Sequence, residues 1–242
     1  MRSYCGCIVL LLALVHCGRV DYDGLSRVPA LSCIDGIQNG TETGIDCGGE
    51  CGSCLAQGFD CTVVTSISSA DCDALVAFYI TTDGDNWDDN TNWVTDPDPC
   101  TWNGVDCNDG AVIALTMSDN GMSGPIPPEI GNFTNILSLQ LSGGQLTGNI
   151  PAEIGNVTNL TFLVLSSAQL TGSIPAEIGA LTSLLNLRLN NNDLSGDVPP
   201  ALMNIPAITI VLRGQSGCLS TTNMPLETWL NDKDSLWNDG CP

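Results

Sequence analysis

A short pattern that returns at a fixed interval constrains this chain more than any other feature, because a repeated unit must stack on its own copies to bury its apolar side. Val112-Ile-Ala-Leu115-Thr-Met117 returns as Ile136-Leu-Ser-Leu139-Gln-Leu141, Leu160-Thr-Phe-Leu163-Val-Leu165 and Leu184-Leu-Asn-Leu187-Arg-Leu189, with a constant step from Val112 to Ile136, Leu160 and Leu184. At the same step a fifth, degenerate copy begins at Ile208. The second half repeats as faithfully: Met122-Ser-Gly124-Pro-Ile126-Pro127, Leu146-Thr-Gly148-Asn-Ile150-Pro151, Leu170-Thr-Gly172-Ser-Ile174-Pro175 and Leu194-Ser-Gly196-Asp-Val198-Pro199, with Ile130, Ile154, Ile178 and Leu202 closing the units. In each unit the Leu-x-Leu pair alternates inward and outward as a short strand, and Gly with Pro turns the chain back. One coil cannot bury its own leucines, so about three or more must stack.

The units resemble the plant-type leucine-rich repeat, which reads Leu-x-x-Leu-x-Leu-x-x-Asn-x-Leu-x-Gly-x-Ile-Pro. The resemblance covers about residues 70 to 220. It implies an α/β solenoid: a short coil with parallel β-strands on the concave face and disulfide-capped ends. The consensus Asn is present as Asn120 and Asn192 but is replaced by Gly144 and Ala168 in the middle repeats. Local loosening is expected there, each lost buried hydrogen bond costing on the order of 1 kcal/mol.

A solenoid exposes two apolar ends that need covers. In Asp71-Cys-Asp-Ala-Leu75-Val-Ala-Phe78-Tyr79, Asp71 is placed to cap a helix whose Leu75, Phe78 and Tyr79 share a face. The stretch from Asp83 through Trp87 and Trp93 to Pro99-Cys100-Thr-Trp102-Asn-Gly104-Val-Asp-Cys107 resembles the N-terminal cap of leucine-rich-repeat proteins secreted by bacteria and algae, which implies a Cys100–Cys107 disulfide. The aspartates of Asp83 to Asp89 lack the spacing of an EF-hand loop, so they read as a solvated turn rather than a calcium site. At the other end Cys218 falls where the fifth copy would place an inward leucine, and a bridge to Cys241 would pin a closing segment. Pro225 starts a short helix with Leu226, Trp229 and Leu230 on one face.

The N-terminal residues carry an address. Arg2 is followed by an apolar run from Ile8 to Val15 and by Cys17-Gly18, the pattern of a signal peptide and too short to span a membrane. Cys17 after Leu14-Val15-His16 resembles a bacterial lipobox with His16 departing from the pattern, so the alternatives are lipidation at Cys17, giving an outer-membrane lipoprotein, or cleavage and release. Either way the chain is expected to be exported, to the extracellular space or the cell surface. Ten cysteines remain beyond Cys17, and export makes disulfides their default use. The Gly-rich head has almost no core formers, so disulfides among Cys33, Cys47, Cys51 and Cys54, with Cys61 and Cys72 as a third pair, would hold it. Cys51-x-x-Cys54 also suits a four-thiolate zinc site, against which export argues. The divisions expected are 1–17 signal peptide, 18–32 linker, 33–61 cysteine-rich head, 62–111 N-terminal cap, 112–207 four repeats, and 208–242 degenerate repeat with C-terminal cap.

Charge and residue types narrow the function. The chain carries 27 acidic against 6 basic residues, a net −21, so nucleic acid and anionic membrane surfaces are poor partners. The single histidine is His16, inside the signal, and most nucleophilic schemes need such a base. Glu129, Glu153 and Glu177 recur once per coil and read as a column of solvated turn carboxylates rather than a catalytic pair. No enzyme, cofactor or metal is expected. The resemblance places the binding face on the outward strand positions: Thr116 and Ser118 with Asp119; Gln140 and Ser142; Phe162, Val164 and Ser166; Asn186, Arg188 and Asn190 with Asn191. Phe162 and Val164 beside Arg188 form its one apolar anchor, which suits a protein, peptide or glycan ligand. The alternative is a surface-coat or ice-contacting protein using a column of hydroxyls, Ser123, Thr147, Thr171 and Ser195, spaced by about 4.8 Å.

Overall fold

The computed structural model describes residues 59–238. The signal segment, Cys17, the linker, Cys33, Cys47, Cys51, Cys54 and Cys241 lie outside the described residues.

Short strands alternate with turns, as the repeat requires. They are β1 Val105–Asn108, β2 Ala111–Ser118, β3 Ser123–Pro125, β4 Ser138–Ser142, β5 Gln145–Thr147, β6 Phe162–Val164, β7 Thr171–Gly172, β8 Asn186–Arg188, β9 Asp193–Leu194, β10 Gly196–Asp197, β11 Thr209–Val211 and β12 Leu219–Ser220. The main sheet runs β1-β2-β4-β6-β8-β11. Every pair in it is parallel except β1 with β2, which closes the N-terminal edge antiparallel. Leu115, Leu139, Leu163, Leu187 and Ile210 stand side by side in register and are buried, which makes one continuous core from five coils. This is the solenoid that the repeat period implied.

Opposite each strand the Ile/Leu that closes the unit sits in a 3-10 turn, at Pro128–Asn132, Ala152–Asn156, Ala176–Ala180 and Pro200–Asn204. Coils meet closely here. A Cβ placed on Gly131 would lie 2.6 Å from the Glu153 carbonyl oxygen, one on Gly155 2.6 Å from the Glu177 Cβ, and one on Gly179 2.5 Å from the Ala201 Cβ. Met203 holds the equivalent place in the fourth unit and is 41% exposed.

The fifth coil departs from the expected step. Ile210 pairs with Leu187 and Val211 with Arg188, so the last coil is one residue shorter than the others, and Ala207, not Ile208, takes the buried first position. The left-handed residue after each strand shifts likewise, from Asn191 (φ 58°) to Gly214 (φ 75°). Cys218 consequently faces outward and is exposed, and the inward residue is Leu219.

Asparagine and its substitute bind the coils together. Asn192 donates to the Leu165 and Leu189 carbonyls at 2.6 and 2.9 Å and accepts from Leu170 N–H at 3.3 Å. Asn120 is bonded to both backbone groups of Asp89. Gln215, one shortened step after Asn192, donates to the Leu189 and Leu212 carbonyls and accepts from Leu194 N–H. The gap left by Gly144 and Ala168 is thus bounded on both sides, since Asn192 reaches back into the third coil.

Two caps close the ends, each anchored by a buried aspartate. Helix α1, Ser69–Thr81, is buried on nearly all sides, with Leu75, Phe78 and Tyr79 in the core. Its N-cap is Ser68, whose hydroxyl accepts from Asp71 N–H, so Asp71 is not the cap. The Asp71 carboxylate instead accepts from Val112 N–H at 3.0 Å, fixing the helix to the first coil. Trp87, Trp93 and Trp102 pack with Phe78 and Tyr79 at centroid separations of 4.9–6.2 Å, and each indole N–H reaches a backbone carbonyl. Disulfides Cys61–Cys72 and Cys100–Cys107 tie the cap together. At the far end helix α2, Met224–Lys233, is capped by Asn223 and buries Leu226 and Leu230, with Trp229 half-buried. Asp234 just beyond it accepts from Leu212 and Arg213 N–H at 2.8 and 3.0 Å.

The cap also holds a mismatch. Asp73 Oδ1 and Ser66 Oγ are buried without a partner among the described residues, and burial raises the Asp73 carboxyl above its ordinary 3.8. The folded state therefore favours the protonated acid, so stability is lost as pH rises through that raised value. We expect Asp73→Asn to stabilise the protein at neutral pH by about 0.5–1 kcal/mol, discounted because the residue is only half-buried, and to be indistinguishable from wild type below the ordinary carboxylate value. Thermal unfolding at both pH values measures it, and equal gains at the two would exclude this cause.

Candidate functional site

The outward residues of the main sheet align as three rows. The first is Ala114, Ser138, Phe162, Asn186 and Thr209; the second is Thr116, Gln140, Val164, Arg188 and Val211. The third begins Ser118–Ser142 and is carried on by backbone bonds linking the strand ends at Gly143–Ser166, Ser167–Asn190 and Asn191–Arg213. The expected outward residues therefore line one sheet face, apart from Asp119 and Asn191, which sit in left-handed positions just beyond it. The face also holds Thr209, Val211 and Arg213, which the regular step misses because the last coil is one residue shorter. The alternation Ala207, Ile210, Leu212 against the exposed residues between them is the signal that locates them.

The face is polar and largely self-bonded at its N-terminal half. Ser142 donates to Ser118, its counterpart 24 residues earlier, at 2.9 Å. Gln140 donates to Ser138, also at 2.9 Å. Its C-terminal half is different. Phe162 is 44% exposed, Val164 and Val211 flank Arg188 in one row, and the Arg188 Nε–H donates to Asn186 at 3.3 Å. Arg213 lies 3.7 Å from Asp234 and Lys233 3.9 Å from Asp232, while Arg188 has no carboxylate within salt-bridge distance among the described residues. Asp106 and Asp119 lie at the opposite, N-terminal end of the sheet, so the face is negative at one end and positive at the other.

The hydroxyl column is not a stack of neighbours. In the turn-side strands Ser123 pairs with Gln145, Thr147 with Pro125, and Thr171 with Asn149 and Asp193, a 22-residue offset. Ser123, Thr147 and Thr171 therefore each have an amide, a carboxylate or a proline beside them. The pairs that do bond are mixed, Ser216 with Asp193 and Ser220 with Asp197. Glu129, Glu153 and Glu177 occupy the same place in three successive 3-10 turns, one per coil. Three of the four carboxylates from Asp83 to Asp89 have protein donors: Asp83 accepts from Asn86, Asp85 from the Tyr79 hydroxyl at 2.7 Å, and Asp89 from Thr91 N–H. Burial, reinforced by Asp85, pushes the Tyr79 hydroxyl up to about 12.

Comparison with known proteins agrees with the coil. The leucine-rich-repeat family model matches residues 159–181 and 183–205, the third and fourth units. A 43-residue stretch is 44% identical to the LRR receptor-like serine/threonine-protein kinase FEI 2 of Arabidopsis thaliana, covering 17% of this chain and 7% of the kinase. The LRR ectodomain of the receptor kinase SOBIR1 from Arabidopsis thaliana superposes with a TM-score of 0.52 at 26% identity, over 64% of this chain and 83% of that one. The PEPR1–AtPEP1 structure gives 0.54 at 30% identity, over 63% of this chain and 22% of that one. The chain thus carries leucine-rich repeats in the solenoid arrangement of plant receptor ectodomains, and it spans only a small part of FEI 2 and of the PEPR1–AtPEP1 chain.

Proposed function

We propose that this leucine-rich-repeat chain is an extracellular or cell-surface recognition module, not an enzyme, and that it binds a protein or peptide across the outward face of its main sheet. The observation that carries the reading is Arg188, a cation without a carboxylate partner among the described residues, set between Val164 and Val211 with exposed Phe162 in the adjoining row. An aromatic and an arginine beside small apolar residues make the kind of anchor that dominates interfaces. The likeness to receptor ectodomains and to a receptor-like kinase supports the same reading, and two disulfides fit an oxidising compartment.

The charge gradient adds a direction. An extended ligand crossing the strands would place a carboxylate at Arg188 and its more basic part toward Asp106 and Asp119. From β2 to β8 is three strand spacings, about 14 Å, or roughly four extended residues.

The test is selection of displayed random peptides on the immobilised chain. We expect enriched peptides with an acidic residue beside an apolar one, and at least about tenfold weaker binding to Arg188→Ala and to Phe162→Ala, as hot-spot losses of about 1.4 kcal/mol or more imply. Peptides that bind all three proteins equally would place the site elsewhere.

A further inference from the structure

Three Asn-x-Thr triplets fall between the 3-10 turns and the main sheet: Asn132-Phe-Thr134, Asn156-Val-Thr158 and Asn159-Leu-Thr161. This is the acceptor sequence for an N-linked glycan in an exported chain. A fourth, Asn39-Gly-Thr41, lies outside the described residues. The first two close on themselves. Each begins at the last residue of a 3-10 turn, and Thr134 N–H donates to the Asn132 carbonyl at 2.8 Å as Thr158 N–H does to the Asn156 carbonyl at 3.0 Å. The middle residue has φ −72° and ψ 74° at Phe133, and φ −83° and ψ 61° at Val157, which is an inverse γ-turn. Phe133 and Val157 are buried, so the turn leaves the asparagine and the threonine on either side of them exposed.

Nothing in the coil demands asparagine at these two places. The third unit builds the same turn with alanine, Thr182 N–H donating to the Ala180 carbonyl at 2.9 Å. The side chains of Asn132 and Asn156 make no hydrogen bond among the described residues. The third triplet is different, because it is bonded into the preceding coil at both ends. Asn159 Nδ2 donates to the Thr134 carbonyl at 2.8 Å, and the Thr161 hydroxyl and N–H donate to the Leu137 carbonyl at 2.7 and 2.8 Å. The nitrogen that would carry a sugar at Asn159 thus already joins two coils, and folding takes it out of reach of transfer.

We propose that Asn132 and Asn156 carry N-linked glycans and that Asn159 does not. At each site the side-chain amide nitrogen forms a bond to C1 of an oligosaccharide held on a lipid pyrophosphate, the amide gives up one proton, and the lipid pyrophosphate leaves. The two glycans stand at the same place on successive coils and leave the outward sheet face open to a ligand. The proposal rests on the extracellular part of the proposed function, since only an exported chain meets the transfer machinery.

Peptide mapping of the full chain from its native source decides it, before and after enzymatic removal of N-glycans, which leaves aspartate wherever an asparagine carried sugar. Conversion is expected at Asn132 and Asn156 and not at Asn159. In the same cells Thr134→Ala and Thr158→Ala are each expected to lose one glycan, and Thr161→Ala none. Intact mass without reductant reads the Cys61–Cys72 and Cys100–Cys107 disulfides in parallel, as a record of passage through an oxidising compartment. A disulfide-bonded chain without sugar at Asn132 and Asn156 overturns the proposal and leaves the extracellular reading standing. So does sugar at Asn159, or on only one of the other two. A chain recovered with those four cysteines reduced overturns both readings together.

Discussion

Asn192→Leu is expected to cost about 3–5 kcal/mol of unfolding free energy, a large part of what a domain of this size has. Leucine matches the amide in bulk but leaves the Leu165 carbonyl and the Leu170 N–H without their partner in the core, and the Leu189 carbonyl with Gln215 alone. Each such buried group costs more than the net value of an ordinary hydrogen bond, because its desolvation is no longer offset. The urea midpoint should fall with an unchanged slope. A loss below about 1 kcal/mol would mean that water enters and replaces the amide. Gln215→Leu should act in the same direction but less, since Gln215 is only half-buried.

Trp93→Ala is the second large effect, about 3–5 kcal/mol. Trp93 is buried at the centre of the N-terminal cap, with rings of Phe78, Tyr79, Trp87 and Trp102 around it and its N–H on the Asn103 carbonyl. Alanine removes the ring that all four touch, and the cavity cannot collapse without moving α1, which is held to the first coil through Asp71. The unfolding transitions read by tryptophan fluorescence and by circular dichroism should therefore shift together in denaturant. If only the fluorescence transition moved, the cap would unfold apart from the coil and would contribute little as an end cover.

How much of this is written in the sequence varies with the range of the interactions concerned. The inward leucines and the outward sheet face of the first four coils follow from a period that any window of the chain displays. The fifth coil does not, because a one-residue shortening breaks the period where the apolar pattern is also weakest. That shortening hides Gln215 as well: at the regular step it matches nothing, and at the shortened step it is the counterpart of Asn192, its extra methylene giving a longer reach. Asp71 is legible as a helix-start residue but not as an anchor. Ser68, Ser69 and Asp71 all suit a cap, and what selects among them is the N–H of Val112, 41 residues away. Asp234 is invisible for the same reason. The exposed position of Cys218 follows from the shortened step, whereas Cys100–Cys107 is implied by family resemblance and Cys61–Cys72 by cysteine count.

For the outward sheet face, the sequence locates Phe162, Val164 and Arg188 individually but does not show that Arg213, a second cation, is drawn to Asp234 and leaves Arg188 without a carboxylate among the described residues. Which charge stays free depends on the cap helix, so it is a tertiary property. The hydroxyl column fails for a related reason: the turn-side strands pair at an offset of two residues from the repeat, and no count along the chain reveals a slip between strands.

Met203 sets the direction in which such an array can change in length. Further units can be spliced in wherever a glycine receives the next coil, upstream of the fourth unit, and the outward sheet face would lengthen by one strand each time. Appended after the fourth unit, the same insert would find a methionine in the space its own backbone must occupy. Lengthening of the array by duplication therefore fits its interior and leaves the C-terminal cap in place at the end.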